Sequence, residues 1–317
     1  MTRIAILGAT GHIGTALAHH YINRRDVTLD LYSRSPSTTL ARFADLNEQA
    51  GVFHRPLASL DLFECDIVIN ALGAGDPRRV KEMGSEILTL TLHWEEMISR
   101  ALQSNPAALY VFLSSGAVYG RLSGGPARID AVASFHVNRR PCEDAYRLAK
   151  FMAEVQHRAC PARRIVDIRI FGFASPFLDL AGKYFLSELF LALLDGQVFR
   201  TAPDDMTRDY VGAEEIAQLI DHCALQREIN MAVDIYTSRP AGKFELLAQL
   251  EKLGLRWTVD PSIPSHPDRI TYASAYDVAN RVGYRPHRTA SEVVEDVARQ
   301  LIGRRVHPAD VSARPAP

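Results

Sequence analysis

The chain has 317 residues, 47% of them apolar and 23% charged, and 36 basic against 37 acidic side chains give a formal net charge of −1. That length supports one large α/β unit or two domains with ample core, and the near-neutral balance argues against a nucleic-acid or polyanion partner. Cys65, Cys142, Cys160 and Cys223 show no CxxC or Cys/His ligand spacing, so they read as reduced thiols and not as staples or a metal site. No signal peptide is legible, and the longest apolar run, FLSELFLALL at 185–194, is too short for a bilayer and carries Glu188. A cytoplasmic protein with no membrane partner is the expectation.

Ile4, Ala5, Ile6 and Leu7 read as a parallel strand buried on both faces. Gly8, Gly11 and Gly14 follow at a spacing of three, and TALAHHYINRR then reads as a helix. Strand, glycine turn and helix start together make a phosphate site, since glycines admit the diphosphate and free N–H groups of the first turn point at it. Three glycines alone also fit an ordinary tight turn. DVTLDLYSRS at 26–35 reads as the second strand. In a dinucleotide fold the corner about 20 residues past the glycines meets the adenosine ribose, an acid there suiting NAD and a base NADP. That corner carries Ser33 and Arg34, while Asp30 lies inside the strand, so the leaning is to NADP. The alternative is that Arg34 is a solvated loop arginine.

Residues 37–51 read as a helix and VFHRPL as the third strand, and DIVINALGAG at 66–75 repeats the strand-then-glycine order. Apolar residues at three- and four-residue steps predict one long helix over 79–103. LYVFLSSGAVYG at 109–120 is the fifth strand with its exit loop, and 121–141 a Gly/Pro-rich loop able to overhang a site. Helix 145–160, strand 164–176, helix 183–195, a loop leading into a helix that ends at Cys223, strand 233–238 and helix 243–254 follow. Residues 257–274 read as irregular, 291–302 as the last helix, and 304–317 as a flexible tail. The alternation predicts an α/β fold, a doubly wound parallel sheet whose ligands lie at the carboxyl ends of its strands. The expected domains are 1–173, with 207–238 returning to it, and a smaller interleaved substrate domain from 174–206 and 239–303.

Tyr146 and Lys150 are four apart on a predicted helix, so they share a face about 6 Å apart along its axis. A nearby ammonium favours the phenolate and makes a tyrosine useful for proton transfer at a carbonyl or alcohol oxygen. Ser115, at another strand end, is placed to hold the same oxygen. On spacing alone such a pair is more often a solvated face.

The chain resembles the extended short-chain dehydrogenase/reductases, the NAD-dependent epimerase/dehydratase family acting largely on nucleotide sugars. GATGHIG resembles its glycine motif, LSSGAVYG its serine-plus-VYG motif and YRLAK its YxxxK, while RIFGFASP and TRDYVGAEEIAQLI match its later segments in order. The resemblance implies that Gly8, Thr10, Gly11, His12, Ile13 and Gly14 border the diphosphate, and that Ser33 and Arg34 meet the ribose. Ala71, Leu72 and Gly73 would line the cofactor, with Ser114 and Phe171 beside them. It makes Ser115, Tyr146 and Lys150 the catalytic triad, Lys150 also touching the nicotinamide ribose. Tyr119 would be structural or substrate-facing, and Gly172 would border the substrate. Arg208 would meet a nucleotide-sugar diphosphate, or else pair with Asp209, Glu214 or Glu215.

Departures from the family pattern narrow the expectation. Gly116 and Ala117 stand where dehydratases carry Asp–Glu, which disfavours sugar dehydration, and Gly172 stands where an asparagine usually helps hold substrate phosphates. The expected activity is that of an NAD(P)-dependent 4-ketoreductase or 4-epimerase on a sugar or nucleotide-sugar. A catalytically silent dinucleotide sensor is the alternative. Family members commonly pair through a four-helix bundle, for which helices 80–103 and 145–160, with Phe151, Met152 and Val155, are candidates.

Overall fold

The computed structural model describes residues 1–44, 51–74, 77–120, 122, 125–135, 138, 144–182, 184–265 and 271–306. Cys142, Gly75, and parts of the expected helix 37–51, loop 121–141, irregular segment 257–274 and tail lie outside them. The first half runs β1 (Thr2–Leu7), α1 (His12–Ile22), β2 (Val27–Ser33), α2 (Pro36–Arg42), β3 (Val52–Pro56), β4 (Ile67–Asn70), α3 (Pro77–Met83), α4 (Glu86–Ala101), β5 (Leu109–Ser115), α5 (Ala145–Arg158) and β6 (Ile165–Ile170). The second runs β7 (Gly172–Phe173), α6 (Phe185–Asp195), β8 (Val198–Thr201), β9 (Thr207–Arg208), β10 (Tyr210–Val211), α7 (Ala213–Ala224), β11 (Asn230–Asp234), β12 (Ala241–Gly242), α8 (Lys243–Glu251), β13 (Arg256–Val259), β14 (Thr271–Tyr272) and α9 (Ala290–Val306).

Seven parallel strands form one sheet in the order β3-β2-β1-β4-β5-β6-β11. The direction of winding reverses between β1 and β4, which opens a crevice at their carboxyl ends. The apolar runs are continuous because both faces are covered. Ile4 and Ile6 pack with Leu17 and Tyr21 of α1 and Ile216 and Ile220 of α7, while Ala5 and Leu7 share the opposite core with Phe112, Ile98 and Ala153. A second core gathers Leu189 and Phe190 of α6, Leu246, Leu247 and Leu250 of α8, and Val293 and Val294 of α9.

The predicted single helix over 79–103 is two, α3 and α4. Gly84 adopts φ +53° and donates its N–H to the Val80 carbonyl at 3.1 Å, a left-handed cap that ends α3. Periodicity missed it because the apolar residues on either side stay in helical step. The predicted strand 233–238 instead occupies Asn230–Asp234, where it pairs with β6. The loop expected after Phe199 and the segment read as irregular from Trp257 contribute β8 and β13, which pair in parallel with each other. Such short pairings leave little periodic signal. The last helix also runs on to Val306, into the expected tail. Among the described residues, no helix is long and apolar enough to cross a membrane.

Candidate active site

At the end of β1 the Gly8 and Ala9 N–H groups both donate to the Tyr32 carbonyl, at 2.9 and 3.1 Å, and pin the glycine turn to β2. Gly8 has φ +86°, and a Cβ on Gly14 would stand 2.3 Å from the Gly8 carbonyl oxygen, so the start of α1 presses directly on the turn. Gly11 precedes α1 with no side-chain cap, and the first turn holds no acid. That helix end is therefore a positive pole suited to a diphosphate. Thr10, Gly11, His12 and Ile13 form its mouth. His12 sits edge-on to Phe173 with 4.9 Å between ring centroids, and burial takes its pKa down to about 4. The His12 Nε2 is buried without a hydrogen-bond partner, a polar atom that a bound dinucleotide would satisfy.

At the ribose corner, Ser33 is 2% exposed, and its hydroxyl donates to the Ser35 carbonyl at 2.7 Å beside Thr39 Oγ1. The structure thus commits Ser33 to holding the turn. Arg34 is exposed at the same corner. A second arginine, not singled out from the sequence, reaches the glycine turn from α2. Arg42 on α2 donates to the Thr10 carbonyl at 2.9 Å and to Thr15 Oγ1 at 3.0 Å. Nothing in its spacing marks it, since a helical arginine reads as a solvated one.

At the end of β4, Asn70 Oδ1 accepts from the Leu72 N–H at 2.9 Å, and the Ala71 N–H donates to the Leu7 carbonyl at 2.9 Å. Leu72 lies against Gly8. Gly73 follows with φ +136°, and a Cβ there would approach Lys150 Nζ at 4.0 Å. The loop after β4 and helix α5 therefore meet.

Ser115 closes β5 and its hydroxyl oxygen accepts from the Ala117 N–H at 3.2 Å. Tyr146, on the first turn of α5, lies near Ser115 and packs against Ala74, Ile87 and Ala145. Burial pushes the Tyr146 phenol up, and the nearby Ser115 hydroxyl pulls it part of the way back. One helical turn on, Lys150 is 6% exposed and donates to the Leu113 carbonyl at 2.7 Å. Its Nζ lies 4.4 Å from the Phe112 ring centroid and 5.9 Å from that of Tyr146. Burial draws the Lys150 ammonium down to about 8 against the opposing pull of Glu95, Glu154 and Asp167. A fourth group, Tyr272 on β14, also lies near Ser115. Sequence reasoning missed it because β14 is two residues long within a segment that shows no pattern.

The remaining candidates divide between the cleft and its support. Ser114 donates to Glu154 at 2.6 Å, and Glu154 in turn grips Arg169, whose Nη2 lies 2.6 Å away. Arg169 Nη1 donates to the Tyr119 hydroxyl at 2.8 Å, and that hydroxyl donates to Asp234 at 3.0 Å. Ser114 and Tyr119 thus belong to a network of hydrogen bonds with Glu154, Arg169 and Asp234. Phe171 is buried between Tyr119 and Tyr272, with centroids 6.0 and 5.1 Å away. Gly172 lies in β7, where a Cβ would meet the Asp209 carbonyl at 2.6 Å and the Tyr210 ring at 2.7 Å. Asp209 bonds Thr237, and Glu214 and Glu215 pair with Arg288. Arg208 lies with its guanidinium 5.9 Å from the Tyr272 ring centroid. Among the described residues, the one His/Cys/Asp/Glu group close enough to hold a metal is Glu214, Glu215 and His287, and Arg288 occupies both of its carboxylates.

The sequence model of the NAD dependent epimerase/dehydratase family matches residues 4–235. No curated protein matches the chain. Among solved structures, a UDP-glucose 4-epimerase from Stenotrophomonas maltophila with bound NAD and formylated UDP-arabinopyranose is 13% identical, with 98% of this chain and 100% of that one covered at a TM-score of 0.78. A UDP-N-acetylglucosamine 4-epimerase from Methanobrevibacter ruminantium in complex with UDP-N-acetylmuramic acid is 16% identical, covering 96% and 99% at 0.76. A UDP-glucuronic acid 4-epimerase from Bacillus cereus with UDP-glucuronic acid and NAD is 16% identical, covering 95% and 100% at 0.73. At these identities the likeness is one of fold.

Proposed function

The chain belongs to the NAD dependent epimerase/dehydratase family, enzymes of the extended short-chain dehydrogenase/reductase type, and on that premise we propose that it works at a secondary alcohol or ketone of a nucleotide-sugar through Ser115, Tyr146 and Lys150. The observation that carries this reading is that Lys150 sits beside the Tyr146 ring, on the Leu113 carbonyl near the end of β5 that carries Ser115 and next to Gly73 after β4. A nicotinamide dinucleotide, when bound, supplies the hydride acceptor or donor. Gly8–Gly14 would hold its diphosphate, and Arg34 and Arg42 would face a ribose phosphate.

Tyr146 Oη takes the proton of a substrate hydroxyl or returns one to a carbonyl oxygen. Ser115 Oγ holds that oxygen by hydrogen bond. Lys150, fixed by the Leu113 carbonyl, keeps a positive charge near the phenol and favours its ionised form. The absence of any carboxylate at Gly116 and Ala117 leaves no group there to eliminate water, so hydride chemistry at one carbon is favoured over dehydration. The UDP-sugars named with the similar structures support a nucleotide-sugar substrate, with Arg208 as its diphosphate contact. Arg34 favours NADP, and with it 4-keto reduction over 4-epimerisation. Phe151, Met152 and Val155 of α5 and Leu90 and Met97 of α4 are exposed apolar residues on two packed helices, a surface suited to a homodimer.

The test is a panel of UDP-sugars incubated with the enzyme and either dinucleotide, with products separated by chromatography. The Tyr146→Phe variant is expected to bind dinucleotide as the wild type does while turnover falls by roughly 10²–10⁴-fold. Undiminished turnover in that variant would refute the mechanism. Native mass spectrometry separates the two outcomes, because an epimerase retains its dinucleotide through purification and a reductase exchanges it.

A further inference from the structure

We propose that Asp234 is a positioning residue, which clasps the segment 271–276 to the carboxyl end of the main sheet and so fixes where Arg208 stands in the cleft. Its bearing on substrate rests on the reading of Arg208 given above. Ser114, Arg169 and Asp234 lie side by side, paired in register across β5, β6 and β11. Asp234 ends β11 and is wholly buried. Tyr119, from the turn after β5, donates its hydroxyl to both Asp234 oxygens at 3.0 Å, and Ser274, two residues beyond β14, donates its own to Asp234 Oδ2. An ionised carboxylate only accepts, so both hydroxyl protons are turned toward it. The oxygens behind those protons are used as well. Arg169 Nη1 donates to the Tyr119 hydroxyl at 2.8 Å, and the Tyr276 N–H donates to Ser274 Oγ at 2.9 Å. Arg169 Nη1 also stands 3.6 Å from Asp234.

The clasp holds two pieces of chain. The Ala127 N–H donates to the Ala273 carbonyl and the Ala275 N–H to the Ala127 carbonyl, each at 2.8 Å, so part of the loop after β5 is bound to the same segment. On the other side of Ser274, β14 pairs with β9, and Tyr272 stands opposite Arg208. The Tyr272 ring centroid lies 5.9 Å from the Arg208 guanidinium and 5.1 Å from the Phe171 ring. Contacts therefore run without a break from Asp234 through Ser274 and Tyr272 to Arg208. The glycine turn and the loop after β4 are carried by other strands, β1 and β4. Losing the clasp should loosen the Arg208 side of the cleft and spare the dinucleotide side. A buried ionic group adds little stability over apolar packing of the same volume, so what Asp234 supplies is placement.

Hydrogen–deuterium exchange of the cofactor-free protein reads the clasp directly. Asp234→Asn replaces one accepting oxygen by a donor, and Ser274→Ala removes one of the two hydroxyls. Each is expected to speed exchange at the Ala127 and Ala275 amides by about tenfold, the loss of one hydrogen bond to a charged group, with β1 and β4 unchanged. Ser274→Thr keeps the hydroxyl and should exchange as the wild type does. Ser274 is only half-buried, so Ser274→Ala carries the test if Asp234→Asn does not fold. Wild-type exchange in Ser274→Ala, a rise spread over the whole chain, or a Ser274→Thr variant as loose as Ser274→Ala would each overturn the clasp. Calorimetric titration then compares ligands. Ser274→Ala should bind UDP-glucose about tenfold more weakly and NADP with unchanged affinity. Unchanged UDP-glucose affinity, or an equal loss for both ligands, would overturn the placing of Arg208. If the wild type binds no UDP-sugar, the nucleotide-sugar reading fails while the exchange still decides the role of Asp234.

Discussion

His157 Nδ1 lies 2.6 Å from Asp167 Oδ1, with both side chains almost wholly removed from solvent. The other ring nitrogen lies 2.8 Å from Glu95, so the imidazole bridges α4 and β6 through α5. Two carboxylates outweigh burial and raise the His157 pKa to about 9 from 6.5. His157→Gln should destabilise the protein by roughly 3–5 kcal/mol, because it strands buried charge. A group whose native pKa is raised contributes fully below its unfolded value and loses that contribution as pH climbs through the native one. Urea denaturation should therefore show the wild-type advantage at full size below pH 6.5 and shrinking through about pH 9. An advantage that grows over that range would contradict a charged His157.

Lys150 carries the opposite sign. Its native pKa is about 8 against 10.5 in the unfolded chain. Between those values the unfolded state holds more protons, so stability rises with pH, and below about 8 the native state bears the whole penalty of a buried ammonium. Lys150→Met should then raise the melting temperature of the cofactor-free protein at neutral pH, by roughly 1–3 kcal/mol in stability, while turnover is lost. Calorimetry at neutral and alkaline pH checks it, the gain disappearing at the alkaline end.

Reinstating the family's asparagine at Gly172 should fail. The first added carbon would lie 2.6 Å from the Asp209 carbonyl, which is backbone and cannot yield cheaply. Gly172→Asn is expected to lower stability by roughly 1–3 kcal/mol without improving substrate affinity. Denaturant unfolding and a KM measurement together decide it. Tighter substrate binding would show that the β7–β10 pair can open.

The ribose corner gives a prediction for coenzyme choice. Arg34→Ala should weaken NADP binding about tenfold, the loss of one charge-assisted contact, and leave NAD binding unchanged. Arg42→Ala should weaken both, since Arg42 also holds the Thr10 carbonyl of the glycine turn. Fluorescence titration with each reduced coenzyme reads the two effects. Equal loss for NAD and NADP in Arg34→Ala would make it a general phosphate contact.

The sheet was legible because β1, β4 and β5 are buried on both faces and their apolar runs say so directly. That Tyr146 and Lys150 share a helix face near the strand end carrying Ser115 was legible from the YRLAK and LSSGAVYG motifs, whereas the four-residue spacing alone reads as a solvated face. What the sequence hid is what depends on distant partners. Nothing local to Tyr272 indicates that a two-residue strand carries it to Ser115. Ser33 and Tyr119 have the hydroxyls a ligand would use, yet Ser35 and Thr39 claim the first and Asp234 and Arg169 the second. Gly84 split a helix whose apolar step never faltered.

The placing of β11 at the edge of the main sheet has a consequence for how the protein is made. Ser115, Tyr146 and Lys150 have all been translated before half of the chain is made. Asp234, which anchors Tyr119 beneath them, comes only with the seventh strand, and Tyr272 later still. A nascent chain therefore holds these three side chains long before it holds the strands that pack around them, and the cleft is a property of the finished polypeptide.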